Sequence, residues 1–170
     1  IAQFPCPFLS QTADVTLDPD TAQAGLIISE DGKEVTYRGN KQGIDYSFFY
    51  NLLVNLNRLG VRGKEGFTSG RHYWEVVVGK KTEWALGVVA VTNGKKSEFS
   101  WGIGLSKGRY QTFGKHCINL YVKEKPEKVG IFVDYGEGYV SFYNVGYFVY
   151  ITVLYLMSCL PPITIEIHPN

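Results

Sequence analysis

A chain of 170 residues, 45% apolar and 15% aromatic, has the length of one domain and enough hydrophobic matter to bury about 70% of its unfolded surface. Seventeen basic and sixteen acidic residues leave a net charge of +1, which excludes a global field of the kind that holds nucleic acid or an anionic membrane. Three cysteines (Cys6, Cys117 and Cys159), none in C-x-x-C spacing, exclude a disulfide framework and a cysteine-rich zinc site; free thiols in a reducing compartment are expected, with a single bridge as the alternative.

The first ten residues, IAQFPCPFLS, lack the basic flank of a secretory leader, so none is expected. Asp18 and Pro19 follow in a turn, where a carboxylate caps free backbone N–H groups. Residues 26–37, LIISEDGKEVTY, read as two strands around Asp31-Gly32, a dipeptide suited to the positive φ angles of a hairpin. The stretch 46–60 has room for one short helix or an irregular loop. In GRHYWEVVV, Trp74, Val76 and Val78 share one face, and Glu75 and Val77 the other.

After a bend at Gly79-Lys80-Lys81-Thr82, Trp84, Leu86, Val88 and Ala90 alternate with Ala85, Gly87, Val89 and Val91. Both faces are apolar, the pattern of a central strand covered on each side. Further strands are expected at 101–105, 117–122 and 162–167. A hairpin is expected over 129–145, bending at Gly136-Glu137-Gly138. YFVYITVLYLMSCL, residues 147–160, is short of the roughly 20 apolar residues of a spanning helix, and its β-branched and aromatic content predicts buried sheet. Many short strands, glycine-rich turns and no long amphipathic helix predict an antiparallel β-sandwich.

Ser106 lies in Gly104-Leu105-Ser106-Lys107-Gly108, a match to G-x-S-x-G, with Asp134 and His168 following in the order of a hydrolase triad. That chemistry needs a helix after the serine, and Arg109-Tyr110-Gln111-Thr112-Phe113 is β-prone, so no catalytic residue is assigned. His72, His116 and His168 have no metal-ligand spacing, and His72 within a strand reads as a hydrogen-bonded structural residue. Neither metal nor cofactor is expected. Basic pairs recur at bends: Lys80-Lys81, Lys95-Lys96, Lys107 with Arg109, and Lys115-His116. As a shared rim they suit an acidic protein surface or an anionic small molecule; as separate turns they are solvated strand-edge lysines.

Three landmarks then stand in order. They are Thr16-Leu17-Asp18-Pro19-Asp20-Thr21-Ala22, then Phe67-Thr68-Ser69-Gly70-Arg71-His72-Tyr73-Trp74-Glu75-Val76, then Val129-Gly130-Ile131-Phe132-Val133-Asp134-Tyr135 running into Val140-Ser141-Phe142-Tyr143. Together they resemble the PRY–SPRY domain of tripartite-motif ubiquitin ligases and butyrophilins, most like a tripartite-motif protein. The resemblance implies an all-β fold, a bent two-layer antiparallel sandwich of the concanavalin-like jelly-roll type with at most one or two short helices. It implies an N-terminal arm over 1–12, a PRY segment over 13–66 and a SPRY segment over 67–170, in one compact domain. Leu17, Asp18, Pro19, Trp74, Glu75, Val76, Asp134 and Tyr135 are then scaffold residues.

The implied role is non-catalytic recognition of a target protein or peptide by loops at one end of the sandwich. The setting implied is a cytoplasmic E3 ubiquitin ligase of innate immunity, oligomerising through an upstream coiled coil, with no nucleic acid and no membrane contact by this domain. The alternative is a butyrophilin-type sensor of an anionic small molecule. Two specialised family activities do not carry over. Members that bind antibody Fc place tryptophans where Gly104 and Ser106 stand here, and an acidic residue where Val91 stands. The basic pocket of phosphoantigen-sensing butyrophilins corresponds to Ala85, Gln111 and Cys117.

The third motif departs from the family's usual Leu-Asp-Tyr-Glu by ending in Gly136, so the glutamate's hydrogen bond is missing or moved to Glu137. No charged residue occurs from Gly138 through Ile165, which suggests a trimmed binding loop. The rim is expected from loops 43–57, 92–99 and 106–116 with strand 101–105. Its partner-binding residues are Thr92, Asn93, Lys95, Lys96, Gly104, Ser106, Arg109, Tyr110 and Phe113, with Gly104 and Ser106 in a shallow slot flanked by the two aromatics.

Overall fold

The structure, a computed structural model, describes residues 12–23, 25–38, 60–93, 95–114, 117–156 and 162–169, with backbone alone for 95–98 and 169. The helix or loop expected at 46–60, the loop at 43–57, most of the N-terminal arm, and Cys6, His116 and Cys159 lie outside the described residues.

Twelve strands form three antiparallel sheets among the described residues. A small hairpin pairs β1 (Leu26–Ile28) with β2 (Val35–Tyr37). The four-stranded sheet runs β11 (Val149–Tyr155), β10 (Tyr139–Asn144), β9 (Lys128–Asp134), β4 (Arg71–Val77). The six-stranded sheet runs β3 (Val61–Arg62), β12 (Ile163–Pro169), β5 (Trp84–Thr92), β6 (Lys95–Ser106), β7 (Arg109–Gly114), β8 (Asn119–Leu120). The two large sheets stack as a sandwich, as the pattern of short strands predicts.

The core fills the space between them. Trp74 from β4, Ile131 and Val133 from β9, and Val140 and Phe142 from β10 meet Trp84, Leu86 and Val88 from β5, Ile103 and Leu105 from β6, and Ile163 and Ile165 from β12. Each such aliphatic or aromatic side chain contributes about 1.5–3 kcal/mol by leaving water. β5 is buried from Trp84 through Ala90 because β12 and β6 flank it and both its faces are covered. Strand approach is close at Gly87, where a Cβ would lie 2.2 Å from the Trp101 carbonyl oxygen.

Local chemistry sets the connections. Asp18 Oδ1 accepts from the Asp20 N–H at 3.1 Å and Pro19 opens the 3₁₀ turn Pro19–Thr21, the cap expected there. The Thr21 hydroxyl accepts from the Arg62 N–H at 3.0 Å, fastening the turn to β3. In the first hairpin the bend is wider than a two-residue turn. The Ser29 hydroxyl donates to Asp31 Oδ1 at 2.5 Å and accepts from the Glu34 N–H at 2.9 Å, while Gly32 takes φ +69°. Asp134 is the clamp of the third motif: Arg71 Nε donates to its Oδ2 at 2.7 Å, and the Glu137 N–H donates to its Oδ1 at 2.9 Å. Glu137 therefore enters this turn through its backbone N–H.

Several expectations are corrected. The apolar run from 147 is a strand, but not a buried one. β11 is the outer strand of its sheet, and Tyr147, Phe148, Val149, Tyr150 and Tyr155 are exposed. Its composition specifies extended backbone, and only the neighbours decide burial. The loops expected at 92–99 and 106–116 are mostly strand, since β6 begins at Lys95 and β7 fills Arg109–Gly114. The strand expected over 117–122 shrinks to Asn119–Leu120.

Candidate functional site

β6 is the axis of the proposed recognition surface, and its two ends are far apart. Its twelve residues span about 36 Å at about 3.3 Å per residue. Thr92 pairs with Lys95 at one end, and Ser106 pairs with Arg109 at the other. The nine partner-binding residues expected on one rim are thus divided. Thr92, Asn93, Lys95 and Lys96 stand at the first end; Ser106, Arg109 and Tyr110 stand at the second.

Gly104 and Phe113 belong to neither rim. Gly104 is buried in mid-sheet between Ala85 and Gln111. Phe113 is 2% exposed and leans across Gly102, whose Cβ would meet the ring at 2.0 Å. Its role is packing. The slot expected over Gly104 and Ser106 is not an open feature, because both residues are buried.

At the second end the side chains of Ser106, Lys107, Arg109 and Tyr110 are all described. Lys107 and Gly108 take φ values of 49° and 75°, the positive pair of a tight hairpin turn, so Ser106 and Arg109 close β6 onto β7 without a loop. The bend between β4 and β5 lies alongside, and the Ser106 hydroxyl donates to Glu83 Oε1 at 3.4 Å. Lys80, Lys107 and Arg109 are exposed here, and Lys81 is half-buried. Tyr110 packs edge-on to Trp84 with ring centroids 6.2 Å apart, and burial raises its hydroxyl pKa. Tyr110 pairs with Leu120, which sets Tyr121 level with Arg109; Tyr121 is 90% exposed. The strand expected over 117–122 included Tyr121; the signal of its exposure is the run of charged positions just after it, Lys123, Glu124, Lys125 and Glu127.

The hydrolase constellation does not assemble. Ser106 bonds to Glu83, Asp134 lies in the opposite sheet with Arg71, and His168 Nε2 lies 3.4 Å from Glu166 Oε2 on β12. The positions of the anion pocket are likewise ordinary: Ala85 is buried, Gln111 Nε2 donates to Asn119 Oδ1 at 2.6 Å, and Cys117 is an exposed free thiol. His72 bonds the Ser69 carbonyl at 2.7 Å and its ring lies 4.1 Å from that of Phe67, a structural role. Among the described residues no helix is long and apolar enough to cross a membrane.

The scaffold positions are built in. Leu17 and Trp74 are buried, Glu75 Oε1 accepts from the Tyr73 hydroxyl at 3.1 Å, and the Tyr135 N–H donates to the Gly70 carbonyl at 3.0 Å. Val76 packs against the core.

A family model for the SPRY domain matches residues 71–157, and one for the SPRY-associated domain PRY matches residues 15–47. The chain is 40% identical over 140 residues to the mouse (Mus musculus) erythroid membrane-associated protein, covering 77% of this chain and 24% of that protein. It is 38% identical over 141 residues to tripartite motif-containing protein 72 of Xenopus tropicalis, covering 77% and 29%. It is 40% identical over 147 residues to the mouse probable E3 ubiquitin-protein ligase TRIML1, covering 78% and 29%. The chain thus spans about a quarter of the length of these curated relatives. Its fold matches the crystal structure of the TRIM65 PSpry domain with a TM-score of 0.70 at 18% identity, covering 94% of this chain and 86% of that one.

Proposed function

Because the chain belongs to the SPRY family, with a PRY segment ahead of it, we propose that it is a non-catalytic module that grips a target protein through one end of its six-stranded sheet. The observation that carries the reading is the second end of β6, where exposed Lys107 and Arg109 adjoin half-buried Tyr110, Tyr121 protrudes level with Arg109, and Lys80 is exposed on the β4–β5 bend. Arginine and tyrosine on a rigid frame are the residue types that dominate binding energy in protein interfaces, and the lysines select an acidic partner. The frame is rigid because every rim residue is at or within a few positions of a core strand. The names of two relatives, the probable E3 ubiquitin-protein ligase TRIML1 and the human E3 ubiquitin-protein ligase TRIM68, support a parent that ubiquitinates what this module holds. A cytoplasmic setting and a target met in innate immunity belong to the same reading.

The division of β6 gives the test. Immobilised domain is used to capture partners, and two charge-reversed sets are compared. One set is Lys107→Glu, Arg109→Glu and Tyr110→Ala; the other is Lys95→Glu with Lys96→Glu. The first set lowers retention of the specific partner at least about tenfold, the effect of losing a hot spot, and the second leaves it within about twofold. Retention unchanged by the first set, in a variant that still unfolds cooperatively, refutes this placement of the site.

A further inference from the structure

The two large sheets have four edge strands, and three of them are guarded. β3 and β8 are two residues long, and the Tyr73 carbonyl of β4 accepts from the Ala13 N–H at 2.7 Å. Short or covered edges keep a sheet from joining the sheets of other chains. β11 is longer and barer. Among the described residues it pairs only with β10, over seven residues that include neither proline nor a charged side chain. Val149 and Tyr155 stand exposed at its two ends.

The ladder to β10 shows which main-chain groups face the open side. Its register slips between Phe142 and Tyr143, leaving Ile151 opposite no residue, so the regular part of the edge is Thr152–Tyr155. The Leu156 N–H donates to the Gly138 carbonyl at 2.7 Å, so Leu156 addresses β10. Successive residues of an antiparallel strand address opposite neighbours. Val153 and Tyr155 therefore turn their N–H and C=O groups away from β10.

An edge without charge offers a charged target segment no ion pair. A second copy meets an edge as uncharged as its own, and two-fold symmetry makes each contact occur twice. One antiparallel register satisfies the groups that face out. Val153 lies against the copy's Tyr155 and Tyr155 against the copy's Val153, each pair exchanging both N–H···O bonds, with the two-fold axis at Leu154. It also sets a β-branched residue beside an aromatic one on each side of the axis, a favourable cross-strand pair. We propose that β11 is a self-association edge, through which two copies join their four-stranded sheets into one continuous sheet. The proposed protein-binding rim lies in the other sheet, so a dimer carries two rims.

A contact made by one strand edge falls below the roughly 1,200 Å² of a stable complex, so the dimer is reversible. Sedimentation velocity of the whole chain, from about 1 µM to about 500 µM, should show monomer and dimer in equilibrium and nothing larger, because the two-fold axis closes the contact. Tyr155→Lys and Tyr155→Glu each weaken the dimer about tenfold or more, and an equimolar mixture of the two restores it to within about threefold, since the two copies of position 155 lie diagonally across the axis. In a background with Cys6, Cys117 and Cys159 changed to serine, Leu154→Cys should oxidise in air to a disulfide-linked dimer and Val149→Cys should not, because only position 154 meets its own copy. Thermal unfolding at about 1 µM, where the monomer prevails, verifies that each variant folds. A chain that stays monomeric at about 500 µM, a dimer that the mixture fails to restore, or growth into larger assemblies overturns the proposal. A disulfide formed as readily by Val149→Cys overturns the register.

Discussion

β5 and β11 read alike as sequence and differ in everything that follows from position. Both are uncharged and rich in β-branched or aromatic residues. β5 lies between β12 and β6 and is buried from Trp84 to Ala90, whereas β11 has β10 on one side only and exposes Val149, Tyr150 and Tyr155. The lesson is that residue type specifies extended backbone, while burial belongs to the sheet order. The glycines separate the two strands: β5 carries Gly87, which only a close neighbouring backbone requires, and β11 carries none.

The sharpest way to break the comparison is at that glycine. In Gly87→Ala the new methyl would sit 2.2 Å from the Trp101 carbonyl oxygen and 2.6 Å from the Gly102 Cα. All the obstructing atoms are β6 backbone, which is held in the sheet and cannot yield, so the loss should exceed about 4 kcal/mol and abolish cooperative unfolding in a calorimetric scan.

An intermediate effect comes from Tyr150. Burial, then the neighbouring Tyr143 and Tyr155 hydroxyls, push its pKa from 10.0 to about 12. The folded state thus holds the phenolic proton more tightly than the unfolded chain. Its contribution is complete below pH 10 and is lost as pH rises toward about 12. Urea midpoints should therefore fall across that interval, less steeply in Tyr150→Phe. Tyr150 is 43% exposed, so the change reports the part of the ring that packs against Tyr143, and equal slopes in the two proteins would contradict that packing.

The smallest change belongs to the outer strand. Val149→Lys with Tyr155→Lys adds charge to a surface already in water, so stability should move by no more than about 0.5 kcal/mol per site. Lysine on an edge also discourages strand pairing between molecules, so any self-association seen by light scattering should decline. A loss of several kcal/mol would mean that β11 is covered after all.

The same contrast explains what the sequence made legible. The alternation of Trp84, Leu86, Val88 and Ala90 with Ala85, Gly87 and Val89 identified a central strand, because two-sided burial imposes a two-sided apolar pattern. The sandwich and its three motifs followed from residues that the core needs. The rim was less legible. Asn93 has φ 51° just after Thr92, which pairs with Lys95, and Lys107 and Gly108 turn tightly between Ser106 and Arg109, so both presumed loops shorten into strand. Once β6 runs unbroken from Lys95 to Ser106, residues close in the expected site are separated by its whole length. Phe113 was ambiguous for another reason. Its burial depends on Gly102 in the adjacent strand, a partner that only the β6–β7 register reveals.

The order of strands also constrains how the chain acquires its shape. β12, the last strand described, sits second in its sheet, bonded to β3 on one side and β5 on the other. The Thr164 hydroxyl reaches back to the carbonyls of Gly63 and Glu65, contacts separated by 101 and 99 residues. During synthesis β3 and β5 must wait, unjoined, until the ribosome has released residues beyond 160. Such distant pairing makes for slow folding and leaves strand edges of β3 and β5 unpaired until β12 arrives.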